Sequence, residues 1–356
     1  MALIFMDGCD QHSNSTDVAM RWNYSVAGNV VQSNGPWSEQ SISLNTRGDR
    51  DLQTAFGPKK EYGDVVYTAF WQRMGPSNSG RRGWIQYHNS NGFEGGTYAW
   101  DGFAYTIFAD NMGCIWGHAN EWTTAPVLTF YRWQWVEIAF TFHNSAGAVQ
   151  IYVDGTQVVN ETGLDTNRDA GGNDSLGAIS YASQGRIPTD NADKHSYNDV
   201  IVWDDSGSNI NTFPLGPQRV ATLRPDAEGT TIQFTPQTGT DNSAMVDEVG
   251  GADVSTYNES STVGHIDMYT VDNLAFTPTT VNAVQVSAQV EATSTTDREF
   301  KLKADDGTTI GASGDMQTPN GGTEYWQNHI WELNPTGAAW TETTVNGMEI
   351  GIEVVT

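Results

Sequence analysis

Cysteine is nearly absent from this chain of 356 residues: Cys9 and Cys114 are the only two. Two cysteines could close a single disulfide, and no metal-binding Cys spacing accompanies them, so free, buried thiols are expected. Lysine is almost as scarce, at five residues, and basic side chains total 17 against 43 acidic ones, a net charge of −26. Residues 1–214 carry 12 basic and 23 acidic residues and residues 215–356 carry 5 and 20, so both halves are negative. Such a surface repels a phosphate backbone, and nucleic acid is not an expected partner. No apolar run approaches the roughly 18 residues of a membrane span, and membrane insertion is not expected either. The start, Met1-Ala-Leu-Ile-Phe-Met6, has no basic n-region or cleavage site, and the expectation is synthesis in a cytoplasm without an export signal. No long amphipathic helix pattern occurs.

Gly (37), Trp (13) and Tyr (13) are plentiful, a mixture that suits Gly-turned β structure with aromatics filling a sandwich. The strongest local pattern lies between Trp133 and Val159. Two alternating runs precede an Asp154-Gly155 pair and a third run follows it. Asp-Gly between alternating apolar residues is a tight hairpin signal, because both turn positions need positive φ. Further strands are expected at Leu3–Met6, Gln40–Leu44, Asp64–Arg73, Gly83–His88, Phe103–Phe108, Val127–Tyr131 and Asp199–Trp203. Alternation places Val65, Tyr67, Ala69 and Trp71 on one face of their strand. The fold class is thus all-β. Residues 1–205 form one sandwich, and residues 206–225 form a connector stiffened by Pro214 and Pro217. In that connector Leu215–Leu223 is a further candidate strand. Residues 226–356 form a second, smaller and more polar β domain for oligomerisation or particle anchoring. Its strands are expected at Ile266–Tyr269, Asn282–Val290, Glu299–Leu302, Asn328–Leu333 and Met348–Val355, with a turn at Asp306-Gly307.

The Ile151-Tyr-Val-Asp-Gly155 hairpin, entered by a strand opening on tryptophan, resembles the signature of laminin-G-like or concanavalin A-like jelly rolls. The opening Met1–Asp10, the connector Phe213–Asp226 and the ending Trp331–Ile352 are similar to tailed-bacteriophage virion structural proteins whose N-terminal domain is a jelly roll of that kind. The resemblance implies a virion protein exposed on the particle surface, as a capsid decoration or a tail or fibre component. It implies contact with other virion proteins and a homo-oligomer, with a trimer favoured. It also implies a structural Ca²⁺ tying the first and last strands together. The matching carboxylates would be Asp7 or Asp10 near the start and Asp199 near the domain's end, since calcium takes six to eight oxygens.

Six aromatics near Gly- and Asn-rich loops, Trp84, Tyr87, Trp100, Tyr105, Trp116 and Trp122, are the candidates for stacking on a carbohydrate. The alternative is that they are core or interface anchors. Catalysis is not expected. The paired-acid strand pattern Glu-x-Asp-x-x-Glu of glycosidases on this fold is absent, Glu137 stands alone in its strand, and Asp204 and Asp205 point to opposite faces. The seven histidines show no HExxH spacing, and no phosphate loop or nucleophile elbow occurs. The expectation is a non-enzymatic structural protein that requires no cofactor, with recognition of a host surface polysaccharide as the alternative.

Overall fold

The computed structural model describes residues 3–12, 18, 22, 24–25, 30–32, 35–37, 40–44, 52–75, 82–89, 103–110, 112–167, 175–181, 195–207, 210, 212–248, 255–293, 296–318 and 324–356. The chain divides into two compact units, one of residues 2–206 with 211–220, the other of residues 207–210 with 221–356.

The first unit is a jelly-roll sandwich of two antiparallel sheets. In the larger, the strands run Thr156–Leu164, Gly147–Val153, Trp133–Thr141, Val65–Met74, His195–Trp203, Ser41–Leu44 and Val30–Gln32 across the sheet, and Leu3–Asp7 also pairs with His195–Trp203. The smaller sheet runs Tyr24–Ser25, Leu52–Glu61, Ser175–Tyr181, Arg82–Asn89, Phe103–Ala109 and Ile115–Trp116. The hairpin turn at Asp154-Gly155 takes the expected form, with φ of 49° and 78°, and the Asp154 carboxylate accepts the Trp135 N–H at 2.9 Å.

Alternation along each strand sends one set of side chains between the sheets. Phe140 of the larger sheet stacks on Tyr87 of the smaller at 3.7 Å between ring centroids. Phe70 meets Trp84 and Tyr181 edge to face, and the Trp84 indole N–H reaches the Gln72 side-chain oxygen at 2.9 Å. One apolar core continues from Phe5 to Val202. At its margin the buried Lys60 and Asp204 form an ion pair, and Asp205 is exposed.

Val127–Tyr131 is not a strand. It is a loop fixed by the Gly113 carbonyl, which accepts the Val127 and Leu128 amides, and Tyr131 has a positive φ. The strand Leu52–Glu61, which was not among those expected from the sequence, runs ten residues.

The segment Thr212–Val220 is not a strand either. It lies across the outer face of the larger sheet, on the side that carries Tyr67, Ala69 and Trp71. Phe213 stacks on Tyr67 at 5.2 Å and meets Tyr152 edge to face. The Leu215 and Gly216 amides donate to one oxygen of Glu137 at 2.6 and 3.0 Å. The Trp71 indole donates to the Gln218 carbonyl at 3.0 Å, and the Val220 amide donates to Asp199 at 2.8 Å. Gly8 is required beside this strap, because a Cβ there would lie 2.2 Å from the Val220 carbonyl oxygen.

In the second unit, Pro225–Ile232, Ile266–Val271, Glu349–Val354, Arg298–Asp305 and Ile310–Ala312 form an antiparallel sheet. Val284–Glu291 pairs separately with Glu324–Trp331. Val286 packs on Phe300, Leu302 and Ala304, as its alternation requires. A short helix, Glu342–Asn346, opens on a capping box between Thr341 and Thr344.

Candidate functional site

Four of the six aromatics expected to meet carbohydrate lie in the interior. Trp84, Tyr87 and Tyr105 are fully buried and Trp122 is 8% exposed. Their surroundings give the reason. Trp84 and Tyr87 fill the space between the sheets, and the Trp122 indole N–H donates to the Tyr105 hydroxyl at 3.1 Å, which donates to Glu121 at 2.9 Å. Gly117 makes room for that indole, since a Cβ would come within 2.4 Å of it. These four rings present no free face to a sugar. Trp116 is half-buried, its N–H held by Asp110 at 2.9 Å. Trp100 lies outside the described residues.

Among the described residues of the sandwich the indole that does face solvent is Trp37, 44% exposed, carried on the turn Gly35-Pro36-Trp37. Its N–H donates to Asp199 at 3.2 Å. Its edge is set by Trp71, perpendicular at 5.6 Å, and Trp71 in turn packs on Trp135 at 5.5 Å. The Arg219 guanidinium of the strap sits 5.6 Å from the Trp37 ring centroid, within cation–π range. Asp199 is thus a shared anchor: its two oxygens take the Trp37 indole and the Val220 amide. Its own backbone, at φ 48°, lies where the pairing register shifts between Asn198 and Ile201, the kind of bulge that re-aims a side chain. An indole held at its N–H, along an edge and by a guanidinium is a pre-organised stacking surface. The Gly-Pro-Trp turn was the available sequence signal for it, whereas the Gly- and Asn-rich context pointed elsewhere.

The three carboxylates proposed for calcium do converge. Burial and then the charges of Asp7, Asp199 and Asp10 push the Cys9 thiol well above its ordinary value. The donors around them nevertheless do not suit a cation. One oxygen of the buried Asp7 accepts the Cys9 amide and the Gln11 side-chain amide at 2.7 and 2.6 Å. The other faces a His12 ring nitrogen at 2.9 Å and accepts the Trp22 indole N–H at 2.7 Å. Four partners use the four lone-pair directions of a carboxylate, so Asp7 has none left for a metal. Asp199 gives both oxygens to N–H donors, and Asp10 accepts the Gln40 amide at 3.3 Å. Asp7 ties the end of the first strand to Trp22 and His12 by hydrogen bonds, while backbone pairing joins that strand to His195–Trp203. Among the described residues no group of three or more His, Cys, Asp or Glu side chains is arranged to hold a metal. Cys9 and Cys114 are buried, free thiols.

No known protein family matches the chain, and no curated protein does. Similar solved structures include an alginate lyase, Aly36B, as a mutant in complex with alginate trisaccharide, 11% identical over 57% of this chain and 98% of that one, TM-score 0.38. Peanut lectin is 9% identical over 57% of this chain and 97% of the lectin, TM-score 0.35. A Trypanosoma rangeli sialidase is 10% identical over 46% of this chain and 25% of that one, TM-score 0.30. Scores this low transfer no activity, ligand or residue. They do correct the expectation that the chain is not an enzyme: a lyase and a sialidase stand among its structural likenesses. The missing Glu-x-Asp-x-x-Glu pattern excludes one chemistry on one strand, not catalysis as such.

Proposed function

We propose that the sandwich is a glycan-binding module whose contact surface is centred on Trp37. The observation that supports it is the single exposed indole of the described sandwich, held in place by Asp199, Trp71 and Arg219. A pyranose ring lays its C–H face on such a surface, with the Arg219 guanidinium beside it. The net charge of −26 disfavours polyanionic chains and favours neutral sugars. A single platform of this kind binds weakly, so repeated copies of the module would supply avidity. A glycan array probed with the whole protein tests the reading: retention of neutral oligosaccharides supports it, and an array without retained sugars overturns it.

The finer reading, a structural protein on a bacteriophage surface in contact with other virion proteins and assembled as a homotrimer, rests on the sequence similarity of Phe213–Asp226 and Trp331–Ile352. Under it the module would meet host surface polysaccharide. Immunogold labelling of purified particles separates the cases: label on the head makes it a decoration protein, label on the tail makes it a host-recognition protein, and no label removes the virion reading.

A further inference from the structure

We propose that the segment Thr212–Val220 is a proton-linked strap, seated more tightly when Glu137 is protonated, and that it thereby regulates the Trp37 platform; the regulatory half rests on the glycan-binding reading, the strap itself does not. Glu137 lies on the outer face of Trp133–Thr141 and is fully buried. One of its oxygens accepts the Leu215 and Gly216 amides. The other is buried without a hydrogen bond of regular geometry, and the Trp135 indole N–H, likewise unpaired, lies close enough to the carboxyl to favour its charged form. Around it stand Ala69 on one neighbouring strand and Tyr152 on the other, with Trp135 two residues before it. Tyr67 and Tyr152 are the titratable groups that the flanking strands bring beside it; Arg73, on the same face but paired with Trp133 four residues along the strand, donates to the Tyr131 carbonyl at 3.2 Å. The one charged side chain of the strap, Arg219, lies over Trp37 instead. No cation in this set offsets an ionised Glu137.

A buried carboxylate with one oxygen unserved is costly when charged, and a proton removes that cost. The protonated group still offers a carbonyl oxygen to the two strap amides. Burial accordingly pushes the Glu137 carboxyl up, and the Leu215 and Gly216 amides and the Trp135 indole pull it back only in part. With the strap lifted, water reaches the group and it returns to its ordinary value near 4.5. The seated state therefore binds the proton more tightly than the lifted state. Seating is fully favoured below the ordinary value, weakens as pH rises through the raised one, and then levels off.

The strap carries parts of the platform. Arg219 covers one side of Trp37, Gln218 holds the Trp71 indole, and Val220 shares Asp199 with Trp37. Lifting it would release all three.

Hydrogen exchange of the Leu215 and Gly216 amides between pH 4 and 8, in the sugar-free protein and scaled to the unstructured rate at each pH, tests the strap. Protection in the wild type is expected to fall by up to about tenfold per pH unit through the Glu137 titration. Glu137→Gln, which keeps the acceptor and cannot ionise, is expected to hold acid-level protection throughout. A flat wild-type profile, or parallel profiles in the two proteins, would overturn the proposal. A carboxyl-carbon NMR titration of Glu137 in the wild type decides the matter without a variant: a midpoint above 4.5 supports the strap, and one at or below it contradicts it. Because no sugar is present, failure here is distinct from failure of the Trp37 reading, which only sugar binding tests.

Discussion

The two units of this chain solve the same problem with different materials. The sandwich buries Trp22, Trp84, Trp135 and Trp203 with seven further large aromatic side chains, most of them in one continuous core. Among its described residues the second unit has two small apolar clusters, one around Trp340 and Met348 and one around Phe300 and Leu302. Carboxylates make up the difference. The buried Asp267 accepts the Gln233 and Phe234 amides, the Asn242 side chain and the Tyr269 hydroxyl, all between 2.6 and 2.8 Å. Asp306 accepts the Thr308 and Thr309 amides and both the amide and the hydroxyl of Thr336. A sequence rich in Thr, Ser and Asp cannot bury much apolar area. It holds its loops by giving their N–H groups directional acceptors, each contributing about 1 kcal/mol.

Breaking the sandwich at its centre should have the largest effect. Phe140→Ala removes the ring stacked on Tyr87 and should cost about 3–5 kcal/mol in thermal or denaturant unfolding of that unit. In the second unit the equivalent lesion is polar. Asp267→Ala strands four donors and should cost about 2–4 kcal/mol, with Asp267→Asn milder because one acceptor oxygen remains.

Acid sharpens the contrast. Burial lowers the His88 pKa to about 4, so the folded sandwich resists a proton that the unfolded chain accepts. Stability from this group is present above 6.5 and is lost as pH falls toward 4, by about 3 kcal/mol at most. In the second unit desolvation raises Asp306, but bonds from Thr336, Thr309 and Thr308 outweigh it and leave the carboxyl below its ordinary value. Its contribution is lost only on acidification below the usual carboxylate range. Burial lowers His329 of the second unit as well, but less far. Calorimetry between pH 7 and 4.5 should therefore weaken the sandwich more than the second unit, and His88→Gln should remove most of that excess. The smallest stability effect belongs to Trp37→Ala, within about 1 kcal/mol, since the ring is half in solvent.

Much of this was legible in the sequence where periodicity and turn chemistry agree. The Asp154-Gly155 hairpin, the alternation of Val65–Met74 and the all-β character follow from local rules that burial then reinforces. The face chosen by Tyr67, Ala69 and Trp71 was also readable, but not its cover, because Thr212–Val220 docks through tertiary contacts with no repeating pattern. Glu137 looked like a lone acid for the same reason. Its amide donors lie 78 and 79 residues away. The aromatic site was misplaced because tryptophans near polar loops look alike in sequence whether the ring turns inward, as Trp84 does, or outward, as Trp37 does. The acids Asp7, Asp10 and Asp199 all lie near Cys9, yet only geometry reveals that N–H donors already claim Asp7.

Titration of one neutral oligosaccharide, retained on an array, into the wild type, Trp37→Ala and Trp116→Ala tests the central claim most directly. A loss of about tenfold or more with Trp37→Ala, as removal of a stacking ring of about 1.4 kcal/mol or more implies, beside unchanged binding with Trp116→Ala, is the predicted result. Equal affinity of the wild type and Trp37→Ala would contradict it.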